Sequence, residues 1–215
     1  ALLIQKYGKY LPEAYQNSVK PRHAAQFDIK SIKAAFNLGN PIFDIYHKKH
    51  PELLDLKIFN PGKEITLSEI MPTLDNMGFL TAESKTFVIK SIKNIWVHYY
   101  RLKVPGYKLY NIESDKLRIE ETLFAIRNHL IDNDRLNSLI VLENISYRQT
   151  IILRSYIAYL KQICFQYSQE YIMDVLQKRS GLAKLLIDLF LIRFNIDTKK
   201  TQRDSQIKEL IKTIE

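Results

Sequence analysis

The sequence has 215 residues, of which 46% are hydrophobic, and a formal charge of +9 at pH 7. A chain of this length buries about 70% of its unfolded surface, so we expect a globular fold with one or two cores. No apolar run approaches the roughly 18 residues that span a bilayer and no secretory leader is visible, so we expect a cytoplasmic protein. The chain opens at Ala1 within an apolar stretch, which we interpret as a cut end.

Residues 1–51 are predicted to form a helical lead-in made of short helices that prolines interrupt. The clearest helix begins at Pro21 and stops at Gly39. Its apolar stripe consists of Ala25, Ile29, Ile32 and Phe36. Such a stripe requires a partner surface that covers it.

The hydrophobic period then changes from helical to alternating. The run Leu53–Ile58 alternates as a strand does, and it ends in turn residues that begin at Asn60. A helix is predicted next, with Ser68 as its N-cap, Pro72 in its first turn and Gly78 at its C-terminal end.

Two further segments, 79–89 and 95–100, are predicted to be strands. The second is rich in β-branched and aromatic residues and carries large groups on both faces, which is typical of a strand that is covered on both sides. The order strand, helix, strand, strand resembles the start of a split βαβ module. We therefore predict a small α/β module over residues 52–110.

Residues 111–215 are predicted to form a helical subdomain with its own core, so the fold class is α+β and mainly helical. Ser146 and Gln149 have the spacing of a capping box, and Ser168 is predicted to cap a later helix. The apolar positions predicted to be buried are Ile119, Leu123, Ile126, Leu130, Leu136, Leu139, Ile140, Ile152, Tyr156, Tyr159, Leu160 and Ile163. The single cysteine, Cys164, is predicted to be a small buried filler.

The glycine spacing argues against catalysis by this chain alone. A dinucleotide fold needs closely spaced glycines where the backbone approaches a pyrophosphate. The six glycines here are far apart, and the sequence has no GxGxxG, Walker loop or G-x-S-x-G elbow. We predict no catalytic residue and no cofactor-binding residue in this chain.

Three groups of polar residues resemble sites but lack an essential part. They are His47 with His50, the tripeptide Asp132–Asp134, and Glu120 with Glu121. The histidines flank two lysines and have no third metal ligand, and the acidic tripeptide lacks the glycine and the distal glutamate of a calcium loop. The glutamates diverge on a helix and make a poor acid and base pair. We predict no metal site, and helix capping for Asn133 and Asp134.

Positive charge and surface aromatic residues are also features of nucleic-acid-binding proteins. The charges are dispersed, however, in a sequence that is rich in Lys, Ile and Asn together. The glycine and aromatic motif of an RNA-recognition strand is missing around Trp96, Tyr99 and Tyr100. We favour core packing for these rings and keep nucleic-acid binding as an alternative.

Several segments, in the same order along the chain, resemble the large bacterial NAD-specific glutamate dehydrogenases. Residues 59–78 are similar to that family's "NPG…LSD-x-x-P-x-LENMG" segment, and Leu153-Arg154-Ser155-Tyr156 begins a run similar to its "LRAY…YLRQ…FSQ-x-YI…LF-x-x-RF". Asp132–Asn137 resembles its "END-x-x-N", and Tyr10–Tyr15 its "P-x-AY". Mild departures are Lys161 in place of an arginine, and Asn195 and Ile196 where the family usually has Asp-Pro.

The resemblance implies a segment just upstream of the catalytic region of such an enzyme. In the family, that catalytic region binds NAD and oxidatively deaminates glutamate to 2-oxoglutarate. The resemblance also implies that residues 52–110 form an ACT-like module, and that the partners are the catalytic domain of the same polypeptide and other copies in a homo-oligomer. NAD would belong to the parent enzyme and not to this chain.

Two functions follow as hypotheses beside nucleic-acid binding. The first is a non-catalytic regulatory or assembly segment of the dehydrogenase. The second is an ACT-like module that senses amino acids, with an effector turn formed by Asn60, Pro61, Gly62 and Lys63. A simple connection between strand and helix is the alternative interpretation of that turn.

Overall fold

The structure is a computed structural model that describes residues 11–18, 27–47, 53–90, 94–103 and 112–214. Four strands are described: β1 (Ile42–His47), β2 (Leu53–Pro61), β3 (Leu80–Ile89) and β4 (Ile95–Lys103). The described helices are α1 (Glu13–Ser18), α2 (Ile29–Leu38), α3 (Leu67–Asn76), α4 (Ile112–Arg127), α5 (Ser138–Leu142), α6 (Tyr147–Gln162), α7 (Gln169–Lys178), α8 (Ser180–Arg193) and α9 (Lys200–Ile214), with a 3-10 turn at Arg135–Asn137. The predicted α+β class is confirmed.

The strands form one antiparallel sheet in the order β1-β2-β4-β3. The two central strands, β2 and β4, are buried along most of their length on both faces. This confirms the expectation that the sheet is covered on both sides. The pairing Leu56 with Tyr100 fixes the register between them and places both side chains on the same face.

The first face of the sheet packs against α3 and α4 and forms the largest core. Its strand residues include Phe43, Ile45, Leu54, Leu56, Ile58, Tyr100 and Leu102, and its helix residues include Ile70, Leu74, Ile119, Leu123 and Ile126. The second face packs against α1 and α2 and has a smaller core, which includes Tyr15, Ala35, Phe59, Ile95 and Val97. Helix α2 is stopped by Gly39 as predicted, at a φ of 67° that glycine adopts without strain.

The helical lead-in predicted over residues 1–51 is wrong at β1. Ile42–His47 is a strand, paired with β2 from Ile42 with Phe59 to His47 with Leu54. The pairing partner of this short strand lies in a later segment, so nothing local in the sequence distinguishes it from a broken helix. The start predicted for the α2 helix, at Pro21, lies outside the described residues.

The start of α3 also differs from the prediction. Its N-cap is Thr66, in extended conformation, and not Ser68, whose hydroxyl lies 2.9 Å from that of Thr66. The earlier start puts Pro72 in the second turn, where it removes one helical hydrogen bond. The left-handed Gly78 after the helix is as predicted, with a φ of 80°.

The C-terminal helices have a separate core, as predicted, although α6 turns a different face to it. Its members are Leu136, Leu139, Ile140, Ile145, Leu153, Ile157, Leu176, Ala183 and Ile187. Tyr156, Tyr159 and Ile163 were expected in this core but are exposed, as is Leu130 after α4. Helix α6 has apolar residues on more than one side, and the sequence does not reveal which side faces its neighbours.

Cys164 is exposed, which contradicts its predicted role as a buried filler. It lies just past the end of α6 in left-handed conformation, with a φ of 55°. The N–H of Phe165 donates to the carbonyl of Leu160 and closes the helix end. Because Cys164 is outside the regular helix, it does not share the helix face of Leu160.

Candidate functional site

The segments that carry the family resemblance meet where the sheet joins the helical part. The amide of Asn76, at the end of α3, donates to the backbone carbonyl and the side-chain oxygen of Asn133 at 3.0 and 3.1 Å. The Asn133 amide donates in turn to the hydroxyl of Thr73, at 3.2 Å. These contacts fasten α3, which packs on the sheet, to the start of the helical part.

Arg154 joins the two motif segments inside the helical part. Its Nε and Nη2 atoms donate to the two carboxylate oxygens of Asp134 at 2.7 and 2.8 Å. Further bonds go to the side chains of Asn137 and Thr150, at 2.8 and 2.7 Å. Asp134 also accepts a hydrogen bond from the N–H of Leu136, so its predicted capping role is confirmed. The two parallel hydrogen bonds between the Arg154 guanidinium and the Asp134 carboxylate orient α6 on the 3-10 turn.

The predicted effector turn, Asn60 to Lys63, connects β2 to α3. One hydrogen bond within the turn and one to the residue before β4 hold it in place. The Asn60 side chain is buried and donates to the carbonyl of Lys63 at 2.7 Å. Gly62, at a φ of 89°, donates its N–H to the carbonyl of Asn94. The turn therefore has a structural explanation, and its role as an effector site stays a prediction.

A buried polar group lies on the second face of the sheet. Lys57 and Tyr15 both donate to Oδ2 of Asp28, at 2.7 and 2.6 Å. Burial, reinforced by the Asp28 carboxylate, raises the pKa of Tyr15 above its ordinary value, so the phenol stays protonated. Sequence analysis missed this group. The only local signal for this group in the sequence is Lys57, a charged residue within a strand that is buried on both faces.

His98 is buried on the first face of the sheet, next to the start of α3. Its Nε2 accepts a hydrogen bond from the N–H of Ile65 at 3.2 Å, so the neutral ring carries its proton on Nδ1, which lies 3.1 Å from the hydroxyl of Thr86. Burial lowers the pKa of His98 to about 4.

Of the two adjacent glutamates named from the sequence, Glu120 has a structural contact. Glu120 accepts a hydrogen bond from the N–H of Ile45 at 3.0 Å, and burial raises its pKa above the ordinary range. Of the histidine pair, His50 lies outside the described residues. Among the residues that the structure describes, no group of three or more His, Cys, Asp or Glu side chains is placed to hold a metal ion.

The aromatic residues of β4 belong to the sheet. Tyr100 is in the first core, and Tyr99 donates from its hydroxyl to Asp55 at 2.7 Å and accepts a hydrogen bond from Arg101 at 2.6 Å. Both rings are buried, as expected for core packing. Sequence and structure thus agree on the β4 tyrosines.

The helical part exposes aromatic residues in two contiguous groups, which we call together the aromatic surface. Tyr156 packs edge-on against Phe190, whose ring lies 4.6 Å from that of Phe194. The second group is Phe165, Tyr167 and Tyr171, with ring centroids 5.5 and 5.0 Å apart. Phe194 is 62% exposed and Ile196 91% exposed. Contiguous apolar groups of this kind are typical of surfaces that contact another protein.

None of the helices in the described part of the chain has the length and apolar character that a membrane crossing needs.

Two family models match adjacent parts of the chain. The ACT3 domain of glutamate dehydrogenase matches residues 42–115, which include β1 and the whole sheet. Helical motif 3 of glutamate dehydrogenase matches residues 131–196, which include the Arg154 contacts and the aromatic surface.

Three curated relatives have the same name, NAD-specific glutamate dehydrogenase. The protein of Halomonas elongata is 28% identical over 198 residues, which are 90% of this chain and 12% of the relative. That of Mycobacterium tuberculosis is 28% identical over 193 residues, which are 86% of this chain and 12% of the relative. That of Pseudomonas aeruginosa is 23% identical over 215 residues, which are 96% of this chain and 13% of the relative. The chain thus spans about an eighth of each relative, and it belongs to the family of the large NAD-specific glutamate dehydrogenases, with the family's ACT3 domain and helical motif 3.

Proposed function

We propose that this chain is a non-catalytic assembly and regulatory segment of a large NAD-dependent glutamate dehydrogenase. It lies upstream of the catalytic region, which oxidatively deaminates glutamate to 2-oxoglutarate and takes up the NAD. The parent enzyme works in the cytoplasm as a homo-oligomer. The parts of this chain are a lead-in that ends before β1, an ACT-like module that begins with β1 near residue 42, and a helical subdomain that begins near residue 111.

The aromatic surface carries this proposal. A helical subdomain without a partner would bury Tyr156, Phe194 and the second aromatic group in its own core. Apolar area removed from water stabilises a fold by about 25 cal/mol per Å². Here the core is filled by Leu153 and Ile157, on another side of α6. The aromatic side is left available for a partner surface, and the partner we propose is the catalytic domain of the same polypeptide.

The C-terminal helix supports the same conclusion. α9 contacts α8, yet none of its residues is buried. Its apolar residues Ile207, Leu210 and Ile214 are only partly covered. A helix of this kind gains stability from a further packing partner.

The test is to express separately the coding region that follows this segment in the source genome and to mix the two purified proteins. We expect a complex that elutes as one species in size-exclusion chromatography and contains both chains. A segment that stays monodisperse and elutes apart from that region at micromolar concentrations would contradict the proposal.

A further inference from the structure

The two edge strands of the sheet differ in how they are covered. At the β1 edge, the side chain of Glu120 on α4 accepts a hydrogen bond from the N–H of Ile45 at 3.0 Å, and Lys116 on the same helix pairs with Asp44. Helix α4 therefore caps this edge. At the opposite edge, β3 pairs with β4 alone among the residues that the structure describes. The β3 edge is therefore open.

The strand pairing shows which backbone groups of β3 point outward. In an antiparallel strand the N–H and C=O of one residue point to the same side, and successive residues alternate. Because the N–H of Ile45 points away from β2, the alternation can be followed across the sheet to β3. It directs the backbone groups of Ser84, Thr86 and Val88 to the open edge. Such a row of N–H and C=O groups is a template for a further strand.

The β3 strand has the length and composition that such pairing needs. It has ten residues and contains neither proline nor glycine. A register shift between Thr81 and Glu83 interrupts its first part, so the regular part begins at Glu83. Bulges and charged side chains often protect an open edge against unwanted pairing. Here the two charges, on Glu83 and Lys85, have opposite signs, and they select a partner strand with the complementary order.

The charges of β3 are complementary to those of a second β3 strand. Glu83 and Lys85 lie on the same face of the sheet, with their charged atoms 2.6 Å apart. In an antiparallel pair with a two-fold axis at Ser84, Glu83 of each copy lies opposite Lys85 of the other. Opposite charges directly across two strands stabilise the pair, and like charges destabilise it. An axis at Lys85 would instead place two lysines opposite each other.

We propose that the β3 edges of two copies of this chain pair antiparallel about a two-fold axis at Ser84 and join the two sheets into one. A contact of this symmetry closes as a dimer and covers the β3 edge in both copies. The homo-oligomer of the proposed function thereby gains a defined contact between copies. The pairing involves neither the aromatic surface nor the catalytic region, so the docking of that surface is independent of it.

Charge reversal on β3 tests the register. In Glu83→Lys, lysines face each other across the two strands, and in Lys85→Glu, glutamates do. Sedimentation equilibrium on the complete wild-type chain should give a dimer with a dissociation constant of about 100 μM or lower. Each variant alone should associate at least about tenfold more weakly. An equimolar mixture of the two variants restores opposite charges at both positions and should recover the association.

A backbone variant tests the edge itself. The N–H of Ser84 points to the open edge, so Ser84→Pro removes no hydrogen bond to β4 but blocks the approach of another strand, and the dimer should be lost. Glu170→Lys is the matched control, because it makes the same charge change as Glu83→Lys at an exposed position on α7, and it should associate as the wild type does. Thermal unfolding checks that the variants fold.

Three results would overturn the proposal. They are a wild-type chain that stays monomeric at about 1 mM, a mixture of the two charge-reversal variants that associates no better than either alone, and a Ser84→Pro variant that dimerises as the wild type does. None of these results bears on the docking of the aromatic surface, which is measured with the catalytic region as partner.

Discussion

Lys57 donates a 2.7 Å hydrogen bond to Asp28, and the two side chains are 2% and 0% exposed. The pair joins the central strand β2 to the residue that precedes α2. It thereby fastens the helical cover to the second face of the sheet. A buried pair of this kind is costly to break by removal of one partner only, because the other charge is left uncompensated.

We predict that Lys57→Met lowers the free energy of unfolding by about 3 to 5 kcal/mol. In a Tyr15→Phe background, where no hydroxyl depends on Asp28, the double variant Lys57→Met with Asp28→Leu should recover most of that loss, because no charge is then left buried. Urea unfolding followed by circular dichroism measures both. A double variant as unstable as Lys57→Met would show that lost packing, and not the lone carboxylate, causes the effect. Lys63→Met, on the exposed turn, is the control and should have little effect.

A second prediction concerns the stability of the fold at acidic pH. The folded-state pKa of His98 is about 4, below its ordinary value of 6.5, because the ring is buried as a neutral acceptor. The unfolded chain therefore binds a proton that the folded chain does not, between pH 6.5 and 4. The contribution of His98 to the free energy of unfolding is fully present above pH 6.5. It is lost as the pH falls, and the loss reaches about 3 kcal/mol at pH 4.

The variant His98→Gln isolates this effect. Glutamine still offers an oxygen to the N–H of Ile65 but does not titrate, so the decline in stability between pH 6.5 and 4 should become shallower. His129→Gln, at an exposed histidine, should keep the wild-type slope. Chemical unfolding at several pH values gives the comparison, and an unchanged slope for His98→Gln would refute the assignment.

A third prediction concerns the contacts of Arg154. Arg154→Lys keeps the positive charge but loses the paired donors to Asp134, and we expect a loss of about 2 kcal/mol of stability. Arg193→Lys, at the end of α8, should change stability by less than about 0.5 kcal/mol. Equal effects of the two substitutions would mean that charge alone, and not fork geometry, orients α6.

The sequence predicted best those features that depend on neighbouring residues. The capping box of Ser146 and Gln149 is present with both of its hydrogen bonds, and Ser168 caps α7 by accepting from Tyr171. The stop at Gly39 also follows from local backbone freedom. Each of these depends on residues at most three positions apart, so the signal lies within a short window.

Features that depend on distant partners were missed. The strand at Ile42 is defined by its pairing with Phe59, and the burial of Leu153 in place of Tyr156 is decided by where α7 and α8 pack. The position of β3 at an open edge follows from the strand order of the folded sheet. The spacing of residues along the chain does not reveal such proximity. The α+β class, in contrast, was predicted from the hydrophobic periods, and the ACT-like character of the sheet from the family resemblance.

The measurement that tests the central claim most directly is the affinity of the aromatic surface for the catalytic region. Calorimetry would compare the wild-type chain with Tyr156→Ser combined with Phe194→Ser, and with Leu38→Ser as a control at an exposed apolar residue on α2. We predict that the double variant binds at least about a hundredfold more weakly, as expected when aromatic anchors of an interface are removed, while the control binds as the wild type does. Equal affinity of all three proteins, or no binding by the wild type, would contradict the claim that this surface docks the segment on its enzyme.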